Sequence, residues 1–239
     1  MSQDIHDMTH THPRRRATAE FLGTGALVAI VVGSGIAAER LSTDPGLRLL
    51  ENSIATALGL AALILLFGPI SGAHFNPVIS VADAVLRRRD PRGLKPADLT
   101  LYVAAQLAGG VGGALLANAM FEVPTAISTH DRAGAGTLLG EVVATAGLTL
   151  LIAGMVRASQ SLPAIAVAVG GYIGAAYWFT SSTSFANPAV ALGRVFTDTF
   201  AGISPLSALQ FVGAQLVGAA IGILLTAVLF TRPATEEAS

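Results

Sequence analysis

The sequence has no cysteine, and only 12% of its 239 residues are charged. The absence of cysteine excludes disulfides, thiolate catalysis and thiolate metal sites, and it leaves the redox compartment undetermined. Soluble domains carry about twice this share of charge, so the composition predicts a membrane protein. A formal net charge of −1 gives no indication of a nucleic-acid partner. The sequence also shows no cofactor or metal motif and no grouping of nucleophile and base, which argues against an enzyme.

Long apolar runs take the place of charge. Six of them are long enough to cross a bilayer as helices, at about residues 17–38, 50–67, 99–120, 137–156, 162–179 and 206–230. The Gly68-Pro69 pair is predicted to end the second helix. We therefore expect an all-α membrane protein with a mobile N-terminal tail over 1–16, one membrane domain over 17–231 and a C-terminal tail over 232–239.

Two short stretches with nearly the same sequence, 71–78 and 184–190, interrupt this pattern. Each holds an Asn-Pro motif, Asn76-Pro77-Val78 in the first and Asn187-Pro188-Ala189 in the second. Asn is a preferred residue at the start of a helix, and Pro is favoured directly after it because the amide there needs no partner. The apolar run from Asn76 ends after eleven residues, at Leu86, and covers about half of a ~30 Å hydrocarbon core. Each motif therefore predicts a re-entrant half-helix.

The two halves of the chain repeat each other. Segment 19–24 is echoed by 140–145, and 102–107 by 211–216, in the same order as the two Asn-Pro motifs. The repeats, about 17–122 and 136–231, hold three spans each. Because three is odd, the second repeat must cross the membrane upside down relative to the first. The sequence thus predicts an inverted repeat whose half-helices meet tip to tip.

This meeting point predicts a pore. Irregular backbone at membrane depth is tolerated only where protein buries it or where it lines a cavity that holds water. The half-helix N-termini each carry about half a positive charge, so they repel cations, and the amides of Asn76 and Asn187 offer donors to hydroxyl groups. Carbonyls at about 72–75 and 183–186 are the expected acceptors. These features predict a passive channel for water and small uncharged solutes that excludes ions and protons.

At this point the sequence resembles the aquaporin, or major intrinsic protein, family over residues 17–230. The resemblance rests on the two Asn-Pro motifs, on segments 19–24 and 71–74, and on the repeats around Gln106 and Gln215. It implies six tilted helices and two half-helices around one pore per subunit, in a homotetramer.

The departures from the family pattern concern the substrate. Val78 stands where the family usually has Ala, and Val190 stands where most members have the Arg of the outer constriction. Counting along the family pattern places the other constriction positions at Thr56, near Ala175 and near Ser184. A constriction with these residues is wide and uncharged. It resembles that of the solute-permeable branch, including bacterial members thought to carry metalloid hydroxides, and it favours glycerol-like polyols and undissociated arsenite. A strict water channel is the alternative.

Five further residues carry predictions. Arg194 is expected to pair with Asp198, four residues later, on the surface and not to replace the missing Arg. Glu20 and Glu141 lie within spans, where a proton relay is conceivable. Their symmetry favours a structural role, in which each carboxylate accepts amide hydrogen bonds from a re-entrant stretch. His74 is either a fixed hydrogen-bonding group or a gate that titrates.

Lysine and arginine predict the orientation. Ten of the fourteen basic residues fall on the side that holds both termini. The positive-inside rule places that side in the cytoplasm, which fits a multi-pass protein of the inner (plasma) membrane.

Two other classes of membrane protein are alternatives to the channel. An ion-coupled transporter usually needs a charged or Na⁺-coordinating group at the midplane, which neither motif supplies, and a membrane enzyme needs a catalytic cluster.

Overall fold

A computed structural model describes residues 12–90 and 93–230 of the chain. Within these ranges the regular structure is helical: α1 (Pro13–Leu41), α2 (Pro45–Ser71), α3 (Pro77–Leu86), α4 (Pro96–Met120), α5 (Ala135–Arg157), α6 (Leu162–Phe179), α7 (Pro188–Gly193) and α8 (Pro205–Leu229). A 3₁₀ turn (Arg194–Phe196) continues α7. Six of the helices, all but α3 and α7, are long and apolar enough to cross a membrane. The predicted fold class, six spans and two half-helices, is confirmed.

Two boundaries differ from the predicted ones. Helix α1 begins at Pro13, so residues 13–16 belong to the helix and not to a tail; the predicted tails over 1–11 and 232–239 lie outside the described residues. Helix α2 continues through Pro69 to Ser71, although Gly68-Pro69 was predicted to end it. Pro69 lies within the last turn and removes only one N–H from the helix. Gly72, whose φ of 89° is left-handed, caps the helix directly after Ser71.

Polar side chains fix the starts of three spanning helices. Asp44, Ser161 and Ser204 each accept the backbone N–H three residues later, at 2.7, 3.4 and 3.3 Å. Each of these residues is followed by a proline within two positions, where the missing N–H costs nothing. The helices therefore begin at defined residues after short loops.

Helices α1 and α4 run in the same direction. Near their starts, the guanidinium of Arg16 lies 3.6 Å from the carboxylate of Asp98. Near their ends, Arg40 donates to the carbonyl of Phe121. The first repeat is therefore organised around a parallel pair of helices.

The second repeat has the same pair in the opposite direction. Arg157, at the end of α5, donates to the carbonyl of Phe230, just after the end of α8. Glu39, near the end of α1, accepts the N–H of Phe200, which precedes the start of α8. The end of α1 and the start of α8 thus share one face, and the repeat is inverted. We call the other face the basic face, because it carries Arg16, Arg87 and Arg157, and the first the opposite face.

Glycines let the paired helices approach backbone to backbone. A Cβ added to Gly109 of α4 would lie 2.3 Å from the carbonyl oxygen of Phe21 in α1. A Cβ added to Gly218 of α8 would lie 2.5 Å from that of Val142 in α5. Such contacts are typical of helices packed within membranes.

The outside of the helix bundle is apolar. Leu58, Val167 and Leu209 are exposed by 68, 69 and 68%. Surfaces of this kind suit contact with lipid and are avoided in water. Buried polar residues, among them Glu20 and Glu141, lie inside instead.

Candidate functional site

The two Asn-Pro motifs begin the half-helices α3 and α7. The Asn76 Oδ1 atom accepts the N–H of Val78 at 3.1 Å, and the Asn187 Oδ1 atom accepts that of Ala189 at 2.9 Å. Four motif residues are buried in the helix starts and do not line the central cavity: Pro77, Val78, Pro188 and Ala189. The extra methyl groups of Val78 therefore do not narrow this cavity.

The asparagine side chains join the two halves. Asn76 Nδ2 donates to the carbonyl of Ala186 at 2.8 Å, and Asn187 Nδ2 donates to the carbonyl of Phe75 at 2.8 Å. These carbonyls, the last of each predicted acceptor series, are thus already used. A primary amide has two N–H donors, so each asparagine keeps a second one. Both side chains line the cavity, where that donor can meet a solute.

The stretches before the motifs share an unusual backbone. Left-handed φ angles occur at Gly72 (89°), Ala73 (50°) and Phe75 (49°), and 111 residues later at Thr183 (60°), Ser184 (51°) and Ala186 (47°). A residue other than glycine adopts this conformation only where its surroundings enforce it. The repeat therefore extends to individual backbone angles.

Glu20 supports the first stretch. Its Oε1 atom accepts from Ser71 Oγ at 2.6 Å and from the N–H of His74 at 3.0 Å. Its Oε2 atom accepts from the N–H of Phe75 and from Gln106 Nε2, both at 2.7 Å. All four donors come from buried or half-buried groups, so the carboxylate satisfies amides that the turn cannot satisfy itself.

Glu141 makes the equivalent contacts in the second stretch. Its Oε1 atom accepts from Ser182 Oγ at 2.7 Å and from the N–H of Phe185 at 2.9 Å. Its Oε2 atom accepts from the N–H of Ala186 at 2.9 Å and from Gln215 Nε2 at 2.6 Å. Neither glutamate lines the cavity, which argues against a proton relay along it.

His74 does line the cavity, and it is held from two sides. Its Nδ1 atom lies 3.1 Å from Ser80 Oγ, and its ring packs against the ring of Tyr102, with 5.5 Å between the centroids. This anchoring favours a fixed hydrogen-bonding group over a mobile gate.

A cavity of about 350 Å³ passes both motifs. Its lining reaches from the basic face to the opposite face and includes Arg87, Arg157, Asn76, Asn187, Thr56 and Arg194. The structure therefore joins the two Asn-Pro motifs and the region of the predicted constriction along one path.

Three of the four predicted constriction residues line this cavity, namely Thr56, Ser184 and Val190. They are 3, 3 and 5% exposed. Ser184 Oγ is buried and has no hydrogen-bond partner in the described part of the chain.

Ala175 does not join them, which corrects the prediction. It is exposed on the outward side of α6, in line with Gly171 and Trp178. The cavity is lined two residues later by Tyr177, whose hydroxyl lies 3.1 Å from Thr56 Oγ1. Two residues turn a helix by about 200°, so counting without gaps selected the wrong side of α6.

The predicted surface pair of Arg194 and Asp198 is also wrong. Arg194 is only 3% exposed and lines the cavity. Its guanidinium lies 3.5 Å from the ring centroid of Phe185, and its Nε donates to the carbonyl of Ala201. Asp198 instead accepts the N–H of Thr129 at 2.8 Å.

The backbone explains why the pair does not form. Contacts four residues apart need a continuous α-helix. Here the chain tightens to a 3₁₀ turn (Arg194–Phe196) and is extended at Thr197, with φ −142° and ψ 122°. Asp198 therefore leaves the helix face that holds Arg194.

An inverted repeat with two half-helices joined at their N-termini and a cavity that passes both of them defines a membrane channel. The family model described as "Major intrinsic protein" matches residues 7–163. The protein named "Aquaglyceroporin AqpS" from Rhizobium meliloti (strain 1021) is 46% identical over 228 residues, which cover 94% of this chain and 95% of the relative. The chain belongs to the major intrinsic protein family.

A second relative is consistent with this assignment, and one solved structure is similar in fold. "Aquaporin-2" from Rattus norvegicus is 31% identical over 88% of this chain and 77% of its own. The X-ray structure of the aquaglyceroporin from Plasmodium falciparum has a TM-score of 0.71 at 20% identity, covering 92% of this chain and 96% of that one, and shares the fold. The members of this family are channels, so the predicted channel class is confirmed and an enzyme is excluded.

Proposed function

We propose that the chain is a passive channel for water and neutral solutes up to about the size of glycerol, with undissociated arsenite among them. The observation that carries this proposal is the cavity wall at Val190. An apolar side chain lines the cavity at the position where most family members have an arginine. Thr56 and Ser184 add small hydroxyl groups and no charge.

The comparison with relatives supports the polyol part of the proposal. The relative that is 46% identical over nearly the whole chain is named an aquaglyceroporin. The rat protein named Aquaporin-2 matches at 31% identity. The higher identity favours a channel that also admits glycerol over one restricted to water.

The central junction gives a physical reason for selectivity against cations. Two half-helix N-termini meet there, each with the positive end of its dipole. Asn76 and Asn187 each keep one N–H donor for a hydroxyl oxygen in the cavity. A neutral solute exchanges water for these donors, whereas a cation meets positive potential.

Arsenite belongs to the proposal because of its chemistry. Undissociated arsenite is a small neutral molecule with three hydroxyl groups, so its size and hydrogen-bonding surface resemble those of glycerol. A wall with hydroxyl and amide donors and no carboxylate or thiolate in its constriction can pass such a molecule without retaining it.

Flux measurements with purified protein in proteoliposomes test the proposal. Swelling is followed for water, glycerol and urea, and uptake for arsenite, with protein-free liposomes as the control. We expect all four to move without dependence on an ion gradient. Transport of water with exclusion of glycerol and arsenite would establish a strict water channel, and dependence on a sodium or proton gradient would establish a coupled transporter.

We also propose that the channel lies in the inner membrane of the cell, with both termini in the cytoplasm. We further propose that it is a homotetramer. The ten basic residues on the side of the termini support this orientation. A reporter fused after Ser239 should be active only in the cytoplasm, and the detergent-corrected mass of the purified channel should equal four chains. Activity of the reporter on the outer side would overturn the orientation.

A further inference from the structure

Arg194 is the one lysine or arginine among the described residues whose side chain is buried. Two contacts hold it, the Phe185 ring below the guanidinium and the carbonyl of Ala201, which accepts from Nε. Within the described ranges its two terminal nitrogens have no hydrogen-bond partner. Because Arg194 lines the cavity, these nitrogens can donate into it.

No carboxylate forms an ion pair or hydrogen bond with Arg194 in the described part of the chain. Asp198 is bonded to Thr129, and Glu39 accepts the N–H of Phe200. The oxygens of Glu141 are all engaged by the second re-entrant stretch. A buried cation without a counter-charge is costly unless its donors meet water or a polar ligand. The cavity is the place where they can do so.

A second arginine lies close to Arg194 and offers a reference for it. Arg132 lies 5.8 Å from the same Phe185 ring. A smaller cavity of about 160 Å³ adjoins the opposite-face end of the path, and both arginines line it together with Thr183 and Phe200. Both guanidinium groups therefore lie at the same end of the molecule, but only that of Arg194 belongs to the lining of the main cavity.

We propose that Arg194 is the specificity-determining residue at the opposite-face mouth. Its terminal N–H groups donate to the acceptor oxygens of neutral solutes, and its fixed charge gives a barrier to cations that is separate from the Asn-Pro junction. This proposal rests on the proposed function, because it assumes neutral solutes that pass Val190. It places the charge one helical turn beyond the position at which the family pattern expects one.

The effect of the Arg194 charge on cation conductance is best measured in a channel whose barrier at the Asn-Pro junction has been weakened. Two barriers lie in series, so the removal of one alone is masked by the other. An Asn76→Asp channel puts a negative charge at the junction and is expected to conduct monovalent cations. Adding Arg194→Gln should raise that conductance about tenfold, since a unit charge in a region of low effective dielectric constant changes a barrier by that amount.

Arg132→Gln is the matched control in the same Asn76→Asp background. Arg132 carries the same charge near the same ring, but it does not line the main cavity, and its Nε and Nη2 bind the carbonyls of Gly202 and Phe200. We expect the cation conductance of the Asn76→Asp, Arg132→Gln channel to stay within about twofold of that of the Asn76→Asp channel. An equal rise with Arg132→Gln would show a general effect of surface charge and would overturn the assignment to Arg194.

A second readout uses single variants. Arg194→Gln shortens the side chain, so the ratio of pentitol flux to water flux should rise severalfold in proteoliposomes. Arg194→Lys keeps the charge but loses the fork of donors, so cation conductance in the Asn76→Asp background should stay low while the pentitol ratio changes. This pair keeps the proposal testable if one variant does not fold.

A relocation experiment sharpens the test. Val190→Arg added to the Asn76→Asp, Arg194→Gln channel should lower cation conductance again. If the parent passes glycerol, and the Arg194 variants match the Asn76→Asp channel in conductance and the parent in the pentitol ratio, this inference is wrong and the proposed function stands. If the parent excludes glycerol, the proposed function itself fails.

Discussion

The two halves of the molecule are alike at the centre and different at their mouths. At the centre, Glu20 and Gln106 in one half match Glu141 and Gln215 in the other, with the same types of donor on each carboxylate oxygen. The left-handed backbone angles also recur at a constant separation. These shared contacts are the ones that hold non-helical backbone at membrane depth.

At the mouths, equivalent positions hold different residues. Asp83 in the first half corresponds to Arg194 in the second, 111 residues later. Asp83 pairs with Arg87 at 3.0 Å on the basic face, whereas Arg194 has no carboxylate partner in the described part of the chain. His74 corresponds in the same way to Phe185. The repeated residues hold the backbone at the centre of the pore, and under the proposed function the residues that differ determine what enters it.

The largest expected effect comes from removing the two buried carboxylates that the halves have in common. Glu20→Gln and Glu141→Gln each replace two acceptor oxygens by one and turn an amide group toward buried donors. An unsatisfied buried donor costs about 1–3 kcal/mol, so each variant should lose several kcal/mol of stability. Thermal unfolding and the yield of monodisperse protein in detergent measure this loss. Because the contacts are equivalent, the two variants should lose similar amounts.

Glu122→Gln is the matched control, since Glu122 is an exposed carboxylate after the end of α4. Its free energy of unfolding should stay within about 0.5 kcal/mol of that of the parent. A stable Glu20→Gln channel with an unstable Glu141→Gln channel would show that the two halves do not depend on their carboxylates in the same way.

The next effect concerns the junction between the halves. Asn76→Asp and Asn187→Asp each remove an amide that crosses to the other half and add a negative charge beside the positive helix ends. Both variants should show measurable cation conductance in planar bilayers, with similar size. Two folded variants that remain as tight to cations as the parent would contradict the electrostatic account of the junction.

Sequence reasoning predicted the symmetric parts because they are local or repeated. An Asn-Pro dipeptide defines its own helix start, and an odd number of spans per repeat dictates inversion. The pairing of Glu20 with the first stretch followed from the need of buried amides for acceptors. Each of these inferences depends on neighbouring residues, on counting spans or on the symmetry of the repeat, and none requires knowledge of how a helix is rotated.

The asymmetric residues were harder to predict because they depend on helix rotation and on loop paths. Ala175 and Tyr177 lie two positions apart on opposite sides of α6, and the buried stripe of that helix, which includes Ile173, was the signal that could have separated them. Arg194 was assigned to the surface because the change from α-helix to 3₁₀ turn leaves no mark in the sequence. Side-chain placement at the mouth is decided by packing, which a pattern of residue types does not fix.

A smaller effect sharpens the contrast between the mouths. Val190→Arg adds bulk and donors where the second half is apolar, close to the path that Arg194 already lines. Glycerol flux should fall about tenfold, which corresponds to about 1.4 kcal/mol in the barrier, while water flux falls less. Val190→Leu adds bulk without charge and is expected to reduce glycerol flux only severalfold. Equal losses from both variants would attribute the selectivity at this position to size alone.

The smallest effect concerns the loop that closes the opposite-face mouth. Asp198 accepts the backbone N–H of Thr129 and lies 3.7 Å from His130, and the hydrogen bond from Thr129 lowers the pKa of its carboxyl group. Because this pKa is lower in the folded protein than in the unfolded chain, the contact stabilises the fold above the unfolded pKa of about 4 and is lost as the pH falls through the folded value. The unfolding temperature of the parent should therefore decrease on acidification toward pH 3, and the decrease should be slightly smaller in Asp198→Asn.

The contact is exposed to solvent, so screening keeps the difference between the two proteins small, and 1 M salt should reduce the contribution of His130. If Asp198→Asn has the same acid dependence as the parent, the loop is held by its other contacts, chiefly the bonds from Arg132 to Phe200 and Gly202.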